Sequence, residues 1–86
     1  MANYSLLIKP SAAKELEATP KKDRDRLVAR LRSLVSVPRP SGAEKLSGEE
    51  KYRIRQGDYR ILYLIEDSDS AVTIVKIGHR REVYRK

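Results

Sequence analysis

The stretch that decides the fold is YRIRQGDYRILYLI, residues 52–65. Apolar and polar residues alternate on both sides of Gly57-Asp58, a dipeptide that favours a two-residue turn between antiparallel strands. We therefore predict a β-hairpin centred on this turn. Counting outward from the turn gives the cross-strand pairs Gln56–Tyr59, Arg55–Arg60, Ile54–Ile61, Arg53–Leu62 and Tyr52–Tyr63.

The two faces of the predicted hairpin differ in chemistry, because opposed residues of an antiparallel pair point to the same side of the sheet. One face is apolar and suited to pack against helices. Its members are Tyr52, Ile54, Ile61, Tyr63 and Ile65. The other face carries Arg53, Arg55 and Arg60. Facing guanidinium groups repel each other by up to ~1 kcal/mol, so this arrangement indicates a face that binds an anion.

An ordinary solvated sheet face is the competing interpretation. The stems of arginine side chains often cover apolar neighbours, here Leu62 and Leu64, while the charged heads stay in water. Acidic residues distant in sequence could also fold back and pair with the guanidinium groups. The candidates are Glu44, Glu49 and Glu50. From the residues alone, both interpretations stay open.

Two helices are predicted upstream of the hairpin. In SAAKELEATP, residues 11–20, Ser11 is the predicted N-cap. Thr19 can cap a second helix that has Pro20 at its first position and stops before Pro38. The apolar residues of this second helix recur with the spacing of one buried face. They are Leu27, Val28, Leu31, Leu34 and Val35.

One strand precedes the helices and three follow them. NYSLLIKP is a short β-type run, and RPSGAEKLSGEEK has the composition of a loop. Strands are predicted over residues 51–56, 59–66 and 71–78, with GHRREVYRK adding a short edge strand. The order β-α-α-β-β-β predicts a single α+β domain over residues 1–86. Its two N-terminal helices pack on one face of a small, mainly antiparallel sheet.

Composition narrows the class of function. Nineteen Lys and Arg against twelve Asp and Glu give a formal net charge of +7, which is typical of proteins that meet polyanions. The chain has no cysteine and one histidine, so we expect neither a disulfide framework nor a metal site, and no cofactor. No apolar run approaches the ~20 residues of a transmembrane helix. We therefore expect a cytoplasmic protein with no membrane partner.

Several pieces of the chain carry a resemblance to a known family. They are Leu46-Ser47-Gly48, YRIRQGDYRILY and IGHRREVYR, with PSAAKELEATP and the amphipathic helix upstream. In this order and spacing, the chain resembles the RelE family of bacterial and archaeal toxins. The resemblance implies a fold like that of small microbial ribonucleases. It also implies a ribosome-dependent mRNA endonuclease that cuts in the A site and inhibits translation.

The resemblance further assigns a set of catalytic residues. Carried over by motif, they are Arg53, Arg55, Arg60, Arg80 and Tyr84. Arg60 and Arg80 are expected to bind the scissile phosphate, because 2′-OH attack gives a dianion-like phosphorane that suits the guanidinium fork. Tyr84 would stack on a base or donate a hydrogen bond, unless it is an ordinary edge-strand tyrosine. Lys45, Lys51 and Arg81 are expected to add contacts to nucleic acid.

The resemblance leaves the general base open. Some relatives carry lysine where this chain has Arg53 and Arg55, and arginine is a poor base because the guanidinium group stays protonated at physiological pH. Histidine is a common general base, so His79 is one candidate. Adjacent strand residues point to opposite faces, however, which separates His79 from Arg80. Tyr84 and the ribosome itself are the other candidates.

Two other functions also stay open. A ParE-like toxin shares the fold, poisons DNA gyrase and generally lacks the basic catalytic set, and a non-catalytic basic module would bind RNA or an acidic protein. The combination of Arg60, Arg80 and Tyr84 favours the ribonuclease. For a toxin of this family, the resemblance implies an antitoxin encoded by the adjacent gene and a hetero-oligomeric complex. The basic helix face is predicted to bind it through Lys22, Arg26 and Arg30.

Overall fold

The computed structural model describes residues 3–46 and 50–79. In chain order its elements are β1 (Ser5–Ile8), α1 (Pro10–Glu17), α2 (Lys21–Ser36), β2 (Glu44–Lys45), β3 (Lys51–Gln56), β4 (Tyr59–Glu66) and β5 (Ala71–His79). The strands form one sheet in the order β1-β5-β4-β3-β2, with β1 and β2 as its outer strands. Only the β1–β5 pairing is parallel. The predicted α+β class and mainly antiparallel sheet are therefore confirmed.

The β3–β4 hairpin has the register predicted from its turn. Arg55 lies opposite Arg60, and Ile54 lies opposite Ile61. Gly57 has a φ of +62°, in the left-handed region that glycine enters without steric cost. A positive φ at the first position of a two-residue loop matches the twist of the flanking strands. The turn therefore fixes which residues share a face.

The apolar face of the hairpin packs against the helices. Ile61, Tyr63 and Ile65 are at most 1% exposed, and Leu27 and Leu31 of α2 are equally buried. Burial of each such side chain contributes about 1.5–3 kcal/mol. This core fixes the hairpin with its arginines on the opposite face. Of the predicted α2 face, Val28 and Val35 are only half-buried.

The tyrosines of this face tie the end of α2 to the sheet. The rings of Tyr52 and Tyr63 stack with centroids 5.7 Å apart. The Tyr63 hydroxyl donates a 2.7 Å hydrogen bond to the carbonyl of Pro38. Desolvation raises the pKa of Tyr63 to about 12, so this hydroxyl keeps its proton at neutral pH. The chain segment that follows α2 is thereby anchored to the middle of β4.

Both predicted helix caps are wrong. α1 begins at Pro10, so Ser11 lies within its first turn. Proline is favoured there because its φ is already helical and it has no N–H to satisfy. Thr19 makes no cap hydrogen bond to α2, whose N-cap is Pro20. Its hydroxyl instead donates to the carbonyl of Glu15 at 2.8 Å, which satisfies a group at the end of α1.

A short strand replaces part of the predicted loop. β2 pairs antiparallel with β3, with Glu44 opposite Arg53 and Lys45 opposite Tyr52. Gly42 precedes this strand with a φ of +96°, which lets the chain turn sharply into the sheet edge. Two residues are too few to show an alternating pattern, so periodicity could not reveal β2.

β5 contains a bulge in the middle of its pairing with β4. Tyr63 pairs with Ile74 and Leu62 pairs with Lys76, which leaves Val75 as an extra residue. A bulge bends the strand and increases its twist. The shift brings Gly78 opposite Arg60 at the end of the sheet.

α1 covers the edge of β5 beyond the end of β1. One oxygen of the Glu15 carboxylate accepts a 2.8 Å hydrogen bond from the backbone N–H of Ile77, and the other accepts one of 2.7 Å from Lys76. A side chain thus takes the place of a neighbouring strand. Within the two described ranges, no helix has both the length and the apolar character needed to cross a membrane.

Candidate functional site

Three of the predicted site residues meet on the sheet face opposite the helices. Arg53 and Arg55 alternate with buried residues along β3, and on β4 Arg60 lies next to the buried Ile61 and is itself largely buried. Together with Gly42 and Glu44 the three arginines line a cavity of about 190 Å³, which we call the arginine pocket. The core residues between them fix this arrangement, because each strand can turn its arginines outward only if its apolar residues turn inward.

The two facing arginines of the pocket have different surroundings. Arg60 is only 8% exposed, whereas Arg55 is exposed. The position opposite Arg60 on β5 is Gly78, which brings no side chain beside it. A guanidinium that is held in a mostly buried position is preorganised for an anion, since little side-chain freedom remains to be lost. Arg60 therefore forms the buried part of the pocket and Arg55 its exposed part.

Glu44 is a pocket residue that sequence patterns did not single out for chemistry. Its carboxylate accepts a 3.2 Å hydrogen bond from Nε of Arg53 and a second bond from Nη2. Arg53, with smaller contributions from Arg55 and Arg60, holds the pKa of Glu44 below its usual range. The carboxyl is therefore ionised at neutral pH. The competing interpretation of a solvated face includes Glu44 as a counter-ion of these arginines, and the structure shows that pairing for Arg53.

The two predicted nucleic-acid lysines lie on different faces. Lys51 is half-buried and, two residues before Arg53 on β3, it belongs to the arginine face. Lys45 pairs with Tyr52, and its Nζ lies 3.1 Å from the carboxylate of Glu50. Tyr52 belongs to the helix face, so β2 directs Lys45 away from the arginine pocket.

His79 lies on the helix face as well. It pairs with Tyr59, and the two rings meet edge to face with centroids 5.8 Å apart. Glu15 and Thr19 line the same small cavity. The sheet therefore separates His79 from the arginine pocket. The remaining predicted residues, Arg80, Arg81 and Tyr84, lie outside the described parts of the chain.

The predicted antitoxin-binding face is basic and mostly exposed. Lys22 and Arg26 point to solvent, and Arg30 is half-buried. Nε of Arg30 donates a 3.1 Å hydrogen bond to the side-chain oxygen of Gln56 at the end of β3. α2 thus presents this basic surface on the helix side, away from the arginine pocket.

A second arginine-centred group lies at the other end of β3. Arg39 donates from Nε to the Tyr52 hydroxyl at 2.9 Å, and from Nη2 to Asp67 at 2.9 Å and Glu50 at 3.2 Å. Its guanidinium carbon also lies 5.4 Å from the centroid of the Tyr52 ring. We call these four residues the Arg39 cluster. Arg39 lowers the pKa of Asp67, and Lys45 and Arg39 together lower that of Glu50.

Sequence reasoning missed the Arg39 cluster because its members are far apart in the chain. Arg39 and Asp67 are separated by 28 positions. The available signal was the setting of Arg39 between Pro38 and Pro40, which restricts the backbone on both sides. That signal indicates a rigid segment but does not identify its partners.

Comparison with known sequences finds a toxin family. Residues 6–84 match the family model described as the ParE toxin of the type II toxin-antitoxin system parDE. Toxin RelG of Mycobacterium tuberculosis (strain ATCC 25618 / H37Rv) is 40% identical over 35 residues, or 41% of this chain. That match spans 40% of the length of the relative.

Comparison with solved structures covers nearly the whole chain. The toxin-antitoxin complex RelBE2 of M. tuberculosis contains a chain with a TM-score of 0.82 and 26% identity, covering 93% of this chain and 94% of that one. The isolated Escherichia coli RelE toxin gives 0.78 and 26%, with 88% and 83% covered. The RelE-RelB complex of Pyrococcus horikoshii OT3 gives 0.79 and 27%, with 91% and 96% covered.

Proposed function

This chain belongs to the RelE/ParE family of type II toxins, and we propose that it is a ribosome-dependent endoribonuclease that cuts mRNA in the A site and so inhibits translation. The observation that carries this proposal is the arginine pocket. The side chains of Arg53, Arg55 and Arg60 line this pocket together with the carboxylate of Glu44. The pocket lies on the sheet face opposite the hydrophobic core. Three guanidinium groups with one carboxylate can bind a phosphodiester through paired hydrogen bonds and retain positive charge.

The pocket suits the charge changes of RNA cleavage. Attack by the 2′-OH gives a phosphorane whose non-bridging oxygens carry additional negative charge. Guanidinium groups bind such oxygens through paired hydrogen bonds and keep their charge at any physiological pH. We assign Arg60 to the scissile phosphate because it is the most preorganised of the three. Arg53 and Arg55 would bind the phosphate backbone and add to stabilisation of the transition state.

Glu44 is the residue of the arginine pocket that can accept a proton. Its carboxyl is ionised, and its lowered pKa makes it a weak base that must be well placed to act. A substrate phosphate would compete with Glu44 for Arg53 and leave a carboxylate oxygen available to the 2′-OH. Arg80 is proposed as a second phosphate ligand, and Tyr84 as a group that stacks on a base or donates to the leaving group.

The proposal includes a need for the ribosome. The arginine pocket lies on an outer face of the sheet, and its described lining contains one weak base, so correct placement of the mRNA must come largely from outside. We expect purified protein to leave free mRNA largely intact. Efficient cutting of free RNA at the same protein concentration would contradict this part of the proposal.

Gyrase poisoning is the second candidate function. The observation that favours it is the match to a family model described as a ParE toxin. ParE-like toxins generally lack the basic catalytic set, and this chain has the arginine pocket, so we rank this function below RNA cleavage. A basic module that binds without cutting is the third candidate.

A pair of assays separates the candidates. Ribosomes carrying a defined mRNA are incubated with the protein and the cut ends are mapped, while gyrase is tested in parallel for DNA breaks. We expect cuts at the A-site codon that disappear with Arg60→Ala. Arg32→Ala, which changes an exposed arginine of α2, is the matched control and should cut normally. DNA breaks without RNA cuts would favour the gyrase poison, and neither product would favour the binding module.

The partner proposed for the toxin is an antitoxin encoded by the adjacent gene. Two of the three similar solved structures named above are toxin-antitoxin complexes, which supports a cognate antitoxin for this chain. We propose a hetero-oligomeric complex in the cytoplasm, in which Lys22, Arg26 and Arg30 contact acidic residues of the antitoxin.

A further inference from the structure

We propose that Arg39 is a positioning residue for the arginine pocket, although its guanidinium lies on the helix side of the sheet. It would act through β2, the strand that carries Glu44 into the pocket. This role deepens the proposed function, because it concerns how a pocket residue is held in place.

A single carboxylate links Arg39 to β2. Oε1 of Glu50 lies 3.2 Å from Nη2 of Arg39, and its Oε2 lies 3.1 Å from Nζ of Lys45. The Tyr52 hydroxyl donates to the same carboxylate at 3.3 Å. Lys45 is therefore held toward the helix face by a group that Arg39 itself holds.

The alternation of side chains along a strand carries this constraint across the sheet. Lys45 and Glu44 are adjacent in β2 and point to opposite faces. Lys45 lies opposite Tyr52 on the helix face, and Glu44 lies opposite Arg53 on the arginine face. Holding Lys45 on one side thus presents Glu44 on the other. A slip of one residue would exchange the two side chains and put a lysine in the pocket.

β2 is a short strand, so the contacts of Lys45 contribute to its register alongside the Glu44–Arg53 ion pair on the other face. It pairs with β3 through only two residues. The turn before it contains one backbone hydrogen bond, from the N–H of Ala43 to the carbonyl of Pro40 at 3.0 Å. Further along, the N–H of Leu46 donates to the carbonyl of Lys51 at 2.8 Å. The ion pairs of Glu50 favour the register that places Lys45 on the helix face over the register, shifted by one residue, that would place it in the arginine pocket.

The effect of the Arg39 cluster on β2 should be local. The side chains of Arg39 and Glu50 are 42% and 51% exposed, and ion pairs as exposed as these add little to global stability. Their loss is expected to release β2 while the core stays folded. The position of Glu44 relative to Arg53 is therefore the quantity to measure.

The test follows the pKa of Glu44 by ¹³C NMR of its carboxyl carbon. Wild type is compared with Arg39→Lys, which keeps the charge but loses the planar fork, and with Glu50→Gln. If β2 is released, the pKa of Glu44 rises in both variants toward the ordinary glutamate value of about 4.3. The groups that face Glu44 and lower its pKa are Arg53, Arg55 and Arg60.

Glu50→Gln separates positioning from simple electrostatics. Removing a nearby negative charge, by itself, would lower the pKa of Glu44, whereas release of β2 raises it. Asp25→Asn is the matched control, because it breaks the exposed Lys21–Asp25 ion pair, whose atoms are 2.9 Å apart on α2. It should leave Glu44 unchanged. An unchanged or lowered pKa of Glu44 in Arg39→Lys and Glu50→Gln would overturn the inference.

A cleavage assay gives a second readout. With programmed ribosomes, Arg39→Lys should lower kcat by about tenfold, and this factor should vanish when Glu44→Gln is already present. Equal factors in both backgrounds would contradict action through Glu44. If wild type cuts no RNA, the proposed function fails, and the NMR comparison still decides the role of Arg39.

Discussion

The arginine pocket and the Arg39 cluster are both built around arginine, but the two sites differ in how many carboxylates accompany the guanidinium groups. In the cluster, Arg39 meets the carboxylates of Glu50 and Asp67, so its charge is balanced within the protein. In the pocket, three arginines and Glu44 line one cavity, which leaves a surplus of positive charge among its described residues. Arg39 therefore serves the structure by joining distant segments, whereas the proposed role of the pocket arginines is to bind an external anion.

The largest expected effect is the loss of cleavage on changing Arg60. Removal of one preorganised ligand of a transition-state oxyanion typically costs about 2.7–4 kcal/mol, or 100- to 1000-fold in kcat. Arg60→Ala should therefore reduce A-site cutting by at least about 100-fold, as measured with programmed ribosomes. Arg60→Lys is the companion variant, because it keeps the charge but loses the fork.

These variants require a fold check because Arg60 is largely buried. Circular dichroism and urea unfolding should show a cooperative transition for both. If folded Arg60→Ala protein cuts at the wild-type rate, Arg60 is not a phosphate ligand. The proposed difference in role between the arginine pocket and the Arg39 cluster would then lose its support.

The next effect concerns stability and the balanced arginine. Arg39→Ala removes hydrogen bonds and a cation–π contact that are partly exposed, so we expect the free energy of unfolding to fall by about 1 kcal/mol. Urea denaturation measures this change. Lys21→Ala, which breaks one exposed ion pair on α2, should stay within about 0.5 kcal/mol of wild type. A loss of several kcal/mol for Arg39→Ala would contradict this expectation and would show that the Arg39 cluster stabilises the fold as strongly as a core contact.

A third prediction concerns the effect of salt on the rates at which the toxin binds and releases its antitoxin. Raising the salt concentration to 0.5 M shortens the Debye length to roughly 4–5 Å, so association should slow markedly while dissociation changes less. Stopped-flow mixing with the product of the adjacent gene measures both rates. Arg55→Ala should lower the association rate more than Arg39→Ala, because the charge of Arg39 is already balanced. Equal effects would contradict that distinction.

The smallest expected effect is on acid stability. Lys45 and Arg39 lower the pKa of Glu50, and Arg39 lowers that of Asp67, relative to an unfolded chain. Carboxylates with lowered pKa stabilise the folded state above their unfolded pKa, near 4, and this contribution disappears as the pH falls through the folded pKa. Wild type should therefore lose thermal stability below about pH 4, and Arg39→Ala should lose less over the same range. Parallel curves would contradict this account.

The sequence predicted the hairpin and its arginine face because both depend on local patterns. A glycine at the turn and alternation on each side suffice to pair Arg55 with Arg60 and to bury Ile61. The amphipathic spacing of α2 likewise placed Leu27 and Leu31 in the core. Such features need no knowledge of how distant segments meet.

The missed features depend on the path of the chain in three dimensions. Glu44 enters the pocket because a two-residue strand joins the sheet edge, and no periodicity marks so short a strand. Arg39 finds Asp67 across 28 positions. Thr19 bonds back to α1 rather than forward to α2, and either choice satisfies a helix end. Where two local hydrogen-bonding arrangements have similar free energies, tertiary packing determines which one forms.

The carboxylate of Glu15 also determines where the sheet can grow. It occupies the backbone donor of Ile77, so at that point β5 offers no free donor to an incoming strand. Three strands lie between β1 and β2, the outer strands of the described sheet, and the two edges differ in surroundings. A peptide that adds to β2 lies beside the arginine pocket, and one that adds to β1 meets the exposed Leu7 and Ile8 and leaves the pocket open. A partner that adds to β2 could therefore block the arginine pocket, whereas one that adds to β1 would bind the toxin without covering the pocket.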